Sequence, residues 1–266
     1  MSEKNGGSWF ADGDAYEHYV GRWSKPVGQM FLDWLSLPPS LVWVDVGCGT
    51  GALARTVLDR VKPSRVIGVE PSEGFLRFAR ENVRDSDAEF RQGRAEALPL
   101  ESGEADVAVS GLVLNFVPDK ERALGEMRRI VKPGGTIASY VWDYAGEMQL
   151  MRYFWSAAAE LFPEGAERDE GTLFPICKPE PLAELFRKAG LTAVETSALD
   201  APTIFSDFED YWSPFLRGQG PAGAFCVSLS EVDRGRLRER LHEALPSEPD
   251  GTIHLVARAW AVRGTG

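Results

Sequence analysis

The stretch Leu41-Val42-Trp43-Val44-Asp45-Val46-Gly47-Cys48-Gly49-Thr50-Gly51 decides how this chain is read. An apolar run ends in an aspartate, glycines follow at every second position, and Ala52-Leu53-Ala54-Arg55-Thr56-Val57-Leu58 continues as a helix-like segment. The order is strand, glycine turn, helix. Glycine has no Cβ, so the backbone can curl tightly here and a ligand can lie directly on the peptide groups.

Outward from the turn, strand-like and helix-like segments alternate. Arg65-Val66-Ile67-Gly68-Val69-Glu70 is rich in β-branched residues and reads as a second strand, with further short strands at 88–92, 105–110 and 136–142. Phe75, Leu76, Ala79 and Val83 mark one helical stripe, and Ala123, Leu124, Met127, Ile130 and Val131 another. Lys132-Pro133-Gly134-Gly135 stops the second helix. Such alternation predicts parallel crossovers and an α/β sheet covered on both faces.

The expected organisation of all 266 residues is a single domain. Residues 1–38 form an N-terminal helical cover, 39–145 a ligand-binding core, 146–200 helices and a sixth strand, 201–250 an inserted lid, and 251–266 the last strand. The lid holds the aromatic run Phe205-Ser206-Asp207-Phe208-Glu209-Asp210-Tyr211-Trp212 and a charged helix from Glu231 to Leu245. Arginines 234, 236, 238 and 240 interleave there with Glu231, Asp233, Glu239 and Glu243, the pattern of a solvated helix rather than a nucleic-acid stripe.

A formal net charge of −11 repels nucleic acid phosphates and anionic membranes, which favours a small-molecule partner. Cys48, Cys177 and Cys226 form no CxxC pair and have no histidine cluster of zinc-ligand spacing, so no metal is expected. The polar start of the chain and the lack of a long apolar run predict a cytoplasmic protein without membrane insertion.

Asp45 lies where the first strand ends, a place where a carboxylate can face a ligand's ammonium group or water beside it. Glu70 ends the second strand, placed to accept hydrogen bonds from both ribose hydroxyls of an adenosine. Gly47, Gly49 and Ala52 also satisfy the looser fingerprint of a nicotinamide dinucleotide site. Against that alternative stand the aspartate before the glycines and Gly51, which crowds the helix N-terminus where a pyrophosphate would bind.

With these motifs quoted, the chain resembles the class I S-adenosylmethionine (SAM) dependent methyltransferases, in the small-molecule branch similar to ubiquinone/menaquinone biosynthesis methyltransferases (type 11). Four segments carry the resemblance, in order: Asp45 to Gly51, Val69-Glu70-Pro71-Ser72, Gly93-Arg94-Ala95-Glu96-Ala97-Leu98-Pro99-Leu100, and Leu124 to Gly135. It implies a Rossmann-like seven-stranded sheet of order 3-2-1-4-5-7-6 with strand 7 antiparallel. It also implies SAM as cofactor, with S-adenosylhomocysteine (SAH) as product. By this analogy Gly47, Cys48, Gly49 and Gly51 lie under the cofactor and Glu70 holds the ribose. Pro71, Ser72, Phe75, Arg94, Ala95 and Glu96 border the adenine, and Ser110 and Gly111 bound the methionine moiety. Many relatives carry a histidine pair after strand 4; here the place reads Leu114-Asn115-Phe116.

Arg22 on the cover is a candidate for a bidentate contact to the methionine carboxylate. Tyr16, Tyr19 and Trp23, with Asn115, Phe116, Trp142, Tyr144 and Trp212, are candidates to line the acceptor pocket. His18 is the candidate general base. Methyl transfer from a sulfonium needs chiefly alignment and exclusion of water. The expected function is therefore methyl transfer to an O, N or C atom of a small metabolite by a monomer or homodimer. The alternatives are a nicotinamide-dependent oxidoreductase and a SAM-binding regulator without catalysis.

Overall fold

The computed structural model describes residues 22–266. Seven strands, β1 (Val42–Val46), β2 (Arg65–Glu70), β3 (Ala88–Gln92), β4 (Ala105–Gly111), β5 (Val131–Trp142), β6 (Thr192–Phe205) and β7 (Ile253–Thr265), form one sheet. Their order is β3-β2-β1-β4-β5-β7-β6, as expected from the resemblance. The pairs β1–β2, β1–β4, β2–β3 and β4–β5 are parallel. Strand β7 runs the other way: Gly134 N donates to Gly266 O at 3.0 Å near the start of β5, and Asp143 N to Arg258 O at 2.9 Å just past its end. Residues Trp43 to Val46 are each no more than 1% exposed, which is why this strand reads as a continuous apolar run rather than an alternating one.

The helices are α1 (Arg22–Leu35), α2 (Ala52–Val61), α3 (Glu73–Asn82), α4 (Lys120–Ile130), α5 (Gln149–Leu161), α6 (Gly165–Arg168), α7 (Glu170–Leu173), α8 (Pro179–Lys188), α9 (Phe208–Trp212), α10 (Gly220–Ser228) and α11 (Glu231–Ala244). Local chemistry sets several of their ends. The Ser72 hydroxyl accepts from Phe75 N at 3.4 Å to cap α3, and the Asp119 carboxylate accepts from Arg122 N at 3.0 Å to cap α4. Helix α4 buries Ala123, Leu124, Met127 and Ile130, the stripe read from the sequence.

Two boundaries differ from expectation. Strand β5 begins at Val131 rather than 136, because Ala105 pairs with Val131 and Val107 with Thr136, so Lys132 to Gly135 bulge out of the ladder with β4. Gly134, at φ 80°, makes that turn and bonds Gly266 instead. Strand β6 continues to Phe205, beyond the expected lid boundary at 201. Leu199, Ala201, Thr203 and Phe205 are buried while the residues between them are exposed, a two-residue period that Asp200 and Pro202 obscure in the sequence.

The chain divides into two compact units. The sheet unit holds residues 24–141, 178–199 and 260–266; Phe31 packs there against Tyr140 with ring centroids 4.6 Å apart. The helical unit holds 142–177 and 200–259 with residues 22 and 23, so of the helices expected in 146–200, α5, α6 and α7 share a body with those of the insertion, while α8 belongs to the sheet unit. Its core is aromatic. Phe154 stacks on Phe215 at 4.4 Å, Trp155 lies 5.5 Å from Phe225, and the buried Tyr211 hydroxyl donates to Leu150 O at 2.8 Å. Helix α11 buries only Leu237 and Leu241, and three of its four arginines pair with carboxylates: Arg236 with Asp233, Arg238 with Glu209 and Arg240 with Glu160, while Arg234 donates to Leu229 O at 3.2 Å. Among the described residues no helix is long and apolar enough to cross a membrane.

Candidate cofactor site

The turn after β1 is built from backbone bonds: Gly47 N and Cys48 N donate to Val69 O at 2.8 and 3.1 Å, and Gly51 N donates to Cys48 O at 2.8 Å. Gly47, Gly49 and Gly51 have φ of 75°, 52° and 84°, a region that favours glycine. Their surroundings differ. A Cβ on Gly47 would stand 2.5 Å from Val113 Cγ1 and one on Gly51 3.0 Å from Val83 Cγ2, whereas one on Gly49 would meet no described atom within 4 Å. Gly47 and Gly51 thus answer to packing inside the protein, and Gly49 is the open face of the turn. Cys48 is buried, with its Sγ 2.8 Å from where a Cβ on Gly68 would lie, so its thiol sits against β2. Burial pushes that thiol up.

Gly47→Ala is expected to destabilise the fold by about 2–4 kcal/mol, from the left-handed φ together with overpacking. Val113→Ala in the same chain should return the part due to the clash with Cγ1. Urea titrations of the two single variants and the double variant check this, and a single variant within ~0.5 kcal/mol of wild type contradicts it.

Glu70 ends β2 and is 7% exposed. Its Oε2 accepts from Gly49 N at 3.2 Å and its Oε1 from Ser72 N at 3.0 Å, so one carboxylate ties the open glycine to the start of α3. Burial raises its pKa, and those two bonds oppose the rise. A carboxylate has about four acceptor sites, which leaves capacity on both oxygens for hydroxyl donors. Asp45 is 1% exposed, and its Oδ2 has no hydrogen-bond partner among the described residues. Burial, helped by the Glu70 charge and opposed by the Ala54 backbone N–H, pushes its carboxyl up to about 7. A buried acceptor without a donor is compatible with either partner expected from the sequence, a ligand's ammonium group or water beside it.

The parallel sheet gathers the remaining cofactor candidates at its carboxyl edge. Pro71 is exposed and its carbonyl accepts from Gln92 Nε2 at 3.1 Å. Ser72 caps α3 and Phe75 is half-buried in its first turn. After β3, Ala97 N donates to Arg94 O at 3.0 Å in a turn that holds half-buried Ala95, while the exposed Arg94 side chain stands 3.8 Å from Glu96. Ser110 is buried, and its carbonyl accepts from the Ser139 hydroxyl at 2.8 Å. A Cβ on Gly111 would lie 2.6 Å from the Tyr140 hydroxyl oxygen. Leu112 follows with φ 62°, a strained conformation for leucine at the end of β4. Asn115 is buried in a 3-10 turn (Leu114–Phe116), its Nδ2 without a partner among the described residues; Phe116 closes the same turn half-buried.

The other candidates belong to the helical unit. Trp142, Tyr144 and Trp212 are 2%, 7% and 3% exposed, with Tyr144 against Phe174 and Trp212 against Phe208 and Phe215. Trp23 packs edge-on to Phe205 at 5.6 Å, and Arg22 pairs with Asp210 at 2.8 Å. Tyr16, His18 and Tyr19 lie outside the described residues. Sequence reasoning missed Val113, Asp210 and Glu170, none of which sits in a motif. Each matters through a partner distant in the chain.

The sheet order, the glycine turn after β1 and the acid that ends β2 define the class I methyltransferase architecture. Residues 44–139 match the family described as "Methyltransferase domain". The demethylmenaquinone methyltransferase of Lactococcus lactis is 33% identical over 193 residues, 62% of this chain and 71% of that protein. The malonyl-[acyl-carrier protein] O-methyltransferase of Geobacter sulfurreducens is 33% identical over 207 residues, 76% of this chain and 73% of that protein. A solved structure of phosphoethanolamine N-methyltransferase 2 of Haemonchus contortus, in complex with SAM, has the same fold. Its TM-score is 0.58 at 17% identity, over 95% of this chain and 56% of that one. The chain belongs to the SAM-dependent methyltransferases. That membership decides against the nicotinamide alternative.

Proposed function

We propose that this chain transfers the methyl group of SAM to an oxygen, nitrogen or carbon atom of a small-molecule metabolite. The observation that carries the reading is the open face of Gly49 beside the Glu70 carboxylate, where an adenosine ribose meets both a bare peptide and an acceptor. The unpartnered Asp45 Oδ2 supports an ammonium-bearing ligand. The relatives named for demethylmenaquinone and malonyl-[acyl-carrier protein], together with the net charge of −11, support an acceptor other than nucleic acid.

When bound, SAM supplies a methyl group already activated on a sulfonium, so the task of the protein is to hold, align and exclude water. Glu70 takes the ribose, Asp45 the ammonium and Arg22 the carboxylate. Pro71, Ser72, Phe75, Arg94, Ala95 and Glu96 border the adenine, while Ser110 and Gly111 bound the methionine chain. The aromatic residues Tyr16, Tyr19, Trp23, Phe116, Trp142, Tyr144 and Trp212, with Asn115, are assigned to the acceptor. His18 is assigned as base for a hydroxyl acceptor; a neutral amine needs none at the moment of attack. The two compact units are read as parts of one catalytic domain, acting as a monomer or homodimer. The three buried cysteines Cys48, Cys177 and Cys226, odd in number and without a CxxC pair, support a reducing, cytoplasmic location.

Calorimetric titration of SAM, SAH and NAD(H) side by side tests the cofactor. Binding of SAM and SAH on the order of micromolar, with no heat from NAD(H), is expected. Binding of NAD(H) in their place overturns the reading.

A further inference from the structure

Asp45 and Glu70 stand on one face of the sheet unit. Asp45 on β1 is in register with Gly68 on β2, and Glu70 lies two residues further along β2, so the two carboxylates project to the same side. Gly68 puts no side chain between them. The Cys48 thiol takes that space, its Sγ 2.8 Å from where a Cβ on Gly68 would lie. Two acids and a thiol are thus gathered at the carboxyl edge of β1 and β2.

Their surroundings are poor in positive charge. Asp45 is 1% exposed; the Ala54 N–H of α2 bonds its carboxylate, and its Oδ2 has no partner among the described residues. From β4 it faces Val109, in register with it. The charges of α2 are engaged elsewhere, Arg55 with Asp59 at 3.0 Å and Arg60 with Asp33 of α1 at 2.7 Å, while Lys25 of α1 is exposed. The cation that acts on Cys48 is Arg80 of α3, itself exposed and bonded to Glu73 at 3.0 Å and to Phe90 O at 3.1 Å. A carboxylate buried beside another, with one oxygen unpaired, is costly when ionised, and such a group keeps its proton instead. Burial and the Glu70 charge, against the Ala54 N–H, push the Asp45 carboxyl up to about 7. Burial, together with both carboxylates, pushes the Cys48 thiol up, so it stays neutral.

We propose that Asp45 carries a proton in the free protein and loses it to solvent when a cofactor ammonium arrives, so that cofactor binding at neutral pH releases a proton and product departure takes one back. The inference rests on the SAM reading, with the ammonium that of the methionine moiety. The balance is simple: a carboxylic acid and an ammonium become an ion pair and one proton in solution. An opposite charge at hydrogen-bond distance favours the ionised carboxylate, which supplies the sign. Acid should therefore expel the cofactor through Asp45 while leaving the adenosine contacts in place.

The test compares SAH with 5′-methylthioadenosine, which keeps the adenosine and the thioether but has no amino acid chain. Calorimetry at pH 6, 7 and 8, in two buffers of different ionisation enthalpy, counts the protons released by each. At pH 6 the ammonium of SAH is already charged, so a proton that appears comes from the protein. SAH is expected to release about one proton more than 5′-methylthioadenosine at pH 6, and to bind about tenfold more weakly there than at pH 8. The excess should vanish by pH 8. Any release through Glu70 is common to both ligands and cancels. Asp45→Asn, with a thermal melt to verify folding, should abolish the excess. Equal release by the two ligands in wild type, as when water rather than ammonium meets Oδ2, or an excess that survives in Asp45→Asn, overturns this inference and leaves the SAM reading intact. A wild type that binds neither ligand overturns the SAM reading and this inference with it.

Discussion

Glu70→Ala is expected to weaken SAM and SAH binding about 100-fold, the loss of two hydrogen bonds to a charged acceptor at about 1.5 kcal/mol each. The same carboxylate also accepts from Gly49 N and Ser72 N, so its removal loosens the open glycine along with the proposed ribose contact. Glu70→Gln separates the two roles in part. It keeps one carbonyl oxygen for a backbone donor but sets an amide N–H₂ against the other, so it too should bind weakly. Because burial raises the Glu70 pKa, affinity should fall on acidification from a pH above the ordinary glutamate range. Calorimetry across pH, with circular dichroism to verify folding, checks both statements. An Ala variant that is folded and binds within twofold of wild type removes Glu70 from the ribose.

Glu170→Gln is expected to flatten the pH dependence of stability between about pH 5 and 8. Glu170 is 2% exposed inside the helical unit, where Oε2 accepts from the Trp155 indole N–H and Oε1 from Ala222 N at 3.3 Å, joining α7 to α5 and α10. Burial, only partly opposed by these bonds, pushes its carboxyl from 4.5 up to about 7. The charged groups nearby are Asp169, which repels the ionised form, and Arg152, whose guanidinium is taken by Asp169 at 2.7 Å. A folded pKa above the unfolded one means the folded state binds the proton more tightly. The stabilisation is complete below the unfolded value and is lost as pH rises to the folded one, about 3 kcal/mol in all. The glutamine variant cannot ionise and loses that slope. The Trp155 indole N–H resonance offers an independent readout, expected to titrate with a midpoint near the same pH and to be absent in Trp155→Phe. A resonance that stays still between pH 5 and 8 contradicts the assignment.

The strands around the glycine turn were legible because their signals are local. β-branched runs, apolar stripes at helical spacing and the Lys-Pro-Gly-Gly stop all act on neighbouring residues, and the observed β1, β2, β3 and β4 fall within a residue or so of expectation. The end of β6 was not legible, since Asp200 and Pro202 speak against a strand and only burial of alternate residues against the fold makes one. The glycine turn shows both cases at once. Its positive φ angles follow from the residue type, but only packing distinguishes Gly47, crowded by Val113, from the open Gly49.

The sequence by itself thus determined the family, the sheet order that goes with it and the motif residues at the carboxyl edge, because these rest on short-range patterns. Tertiary structure alone decided that α5, α6 and α7 share a body with the insertion while α8 joins the sheet, that Glu170 is buried beside Trp155, and that Arg22 meets Asp210, 188 residues away. Burial and pairing of charges are properties of what surrounds a side chain, and for these groups the surroundings come from distant parts of the chain.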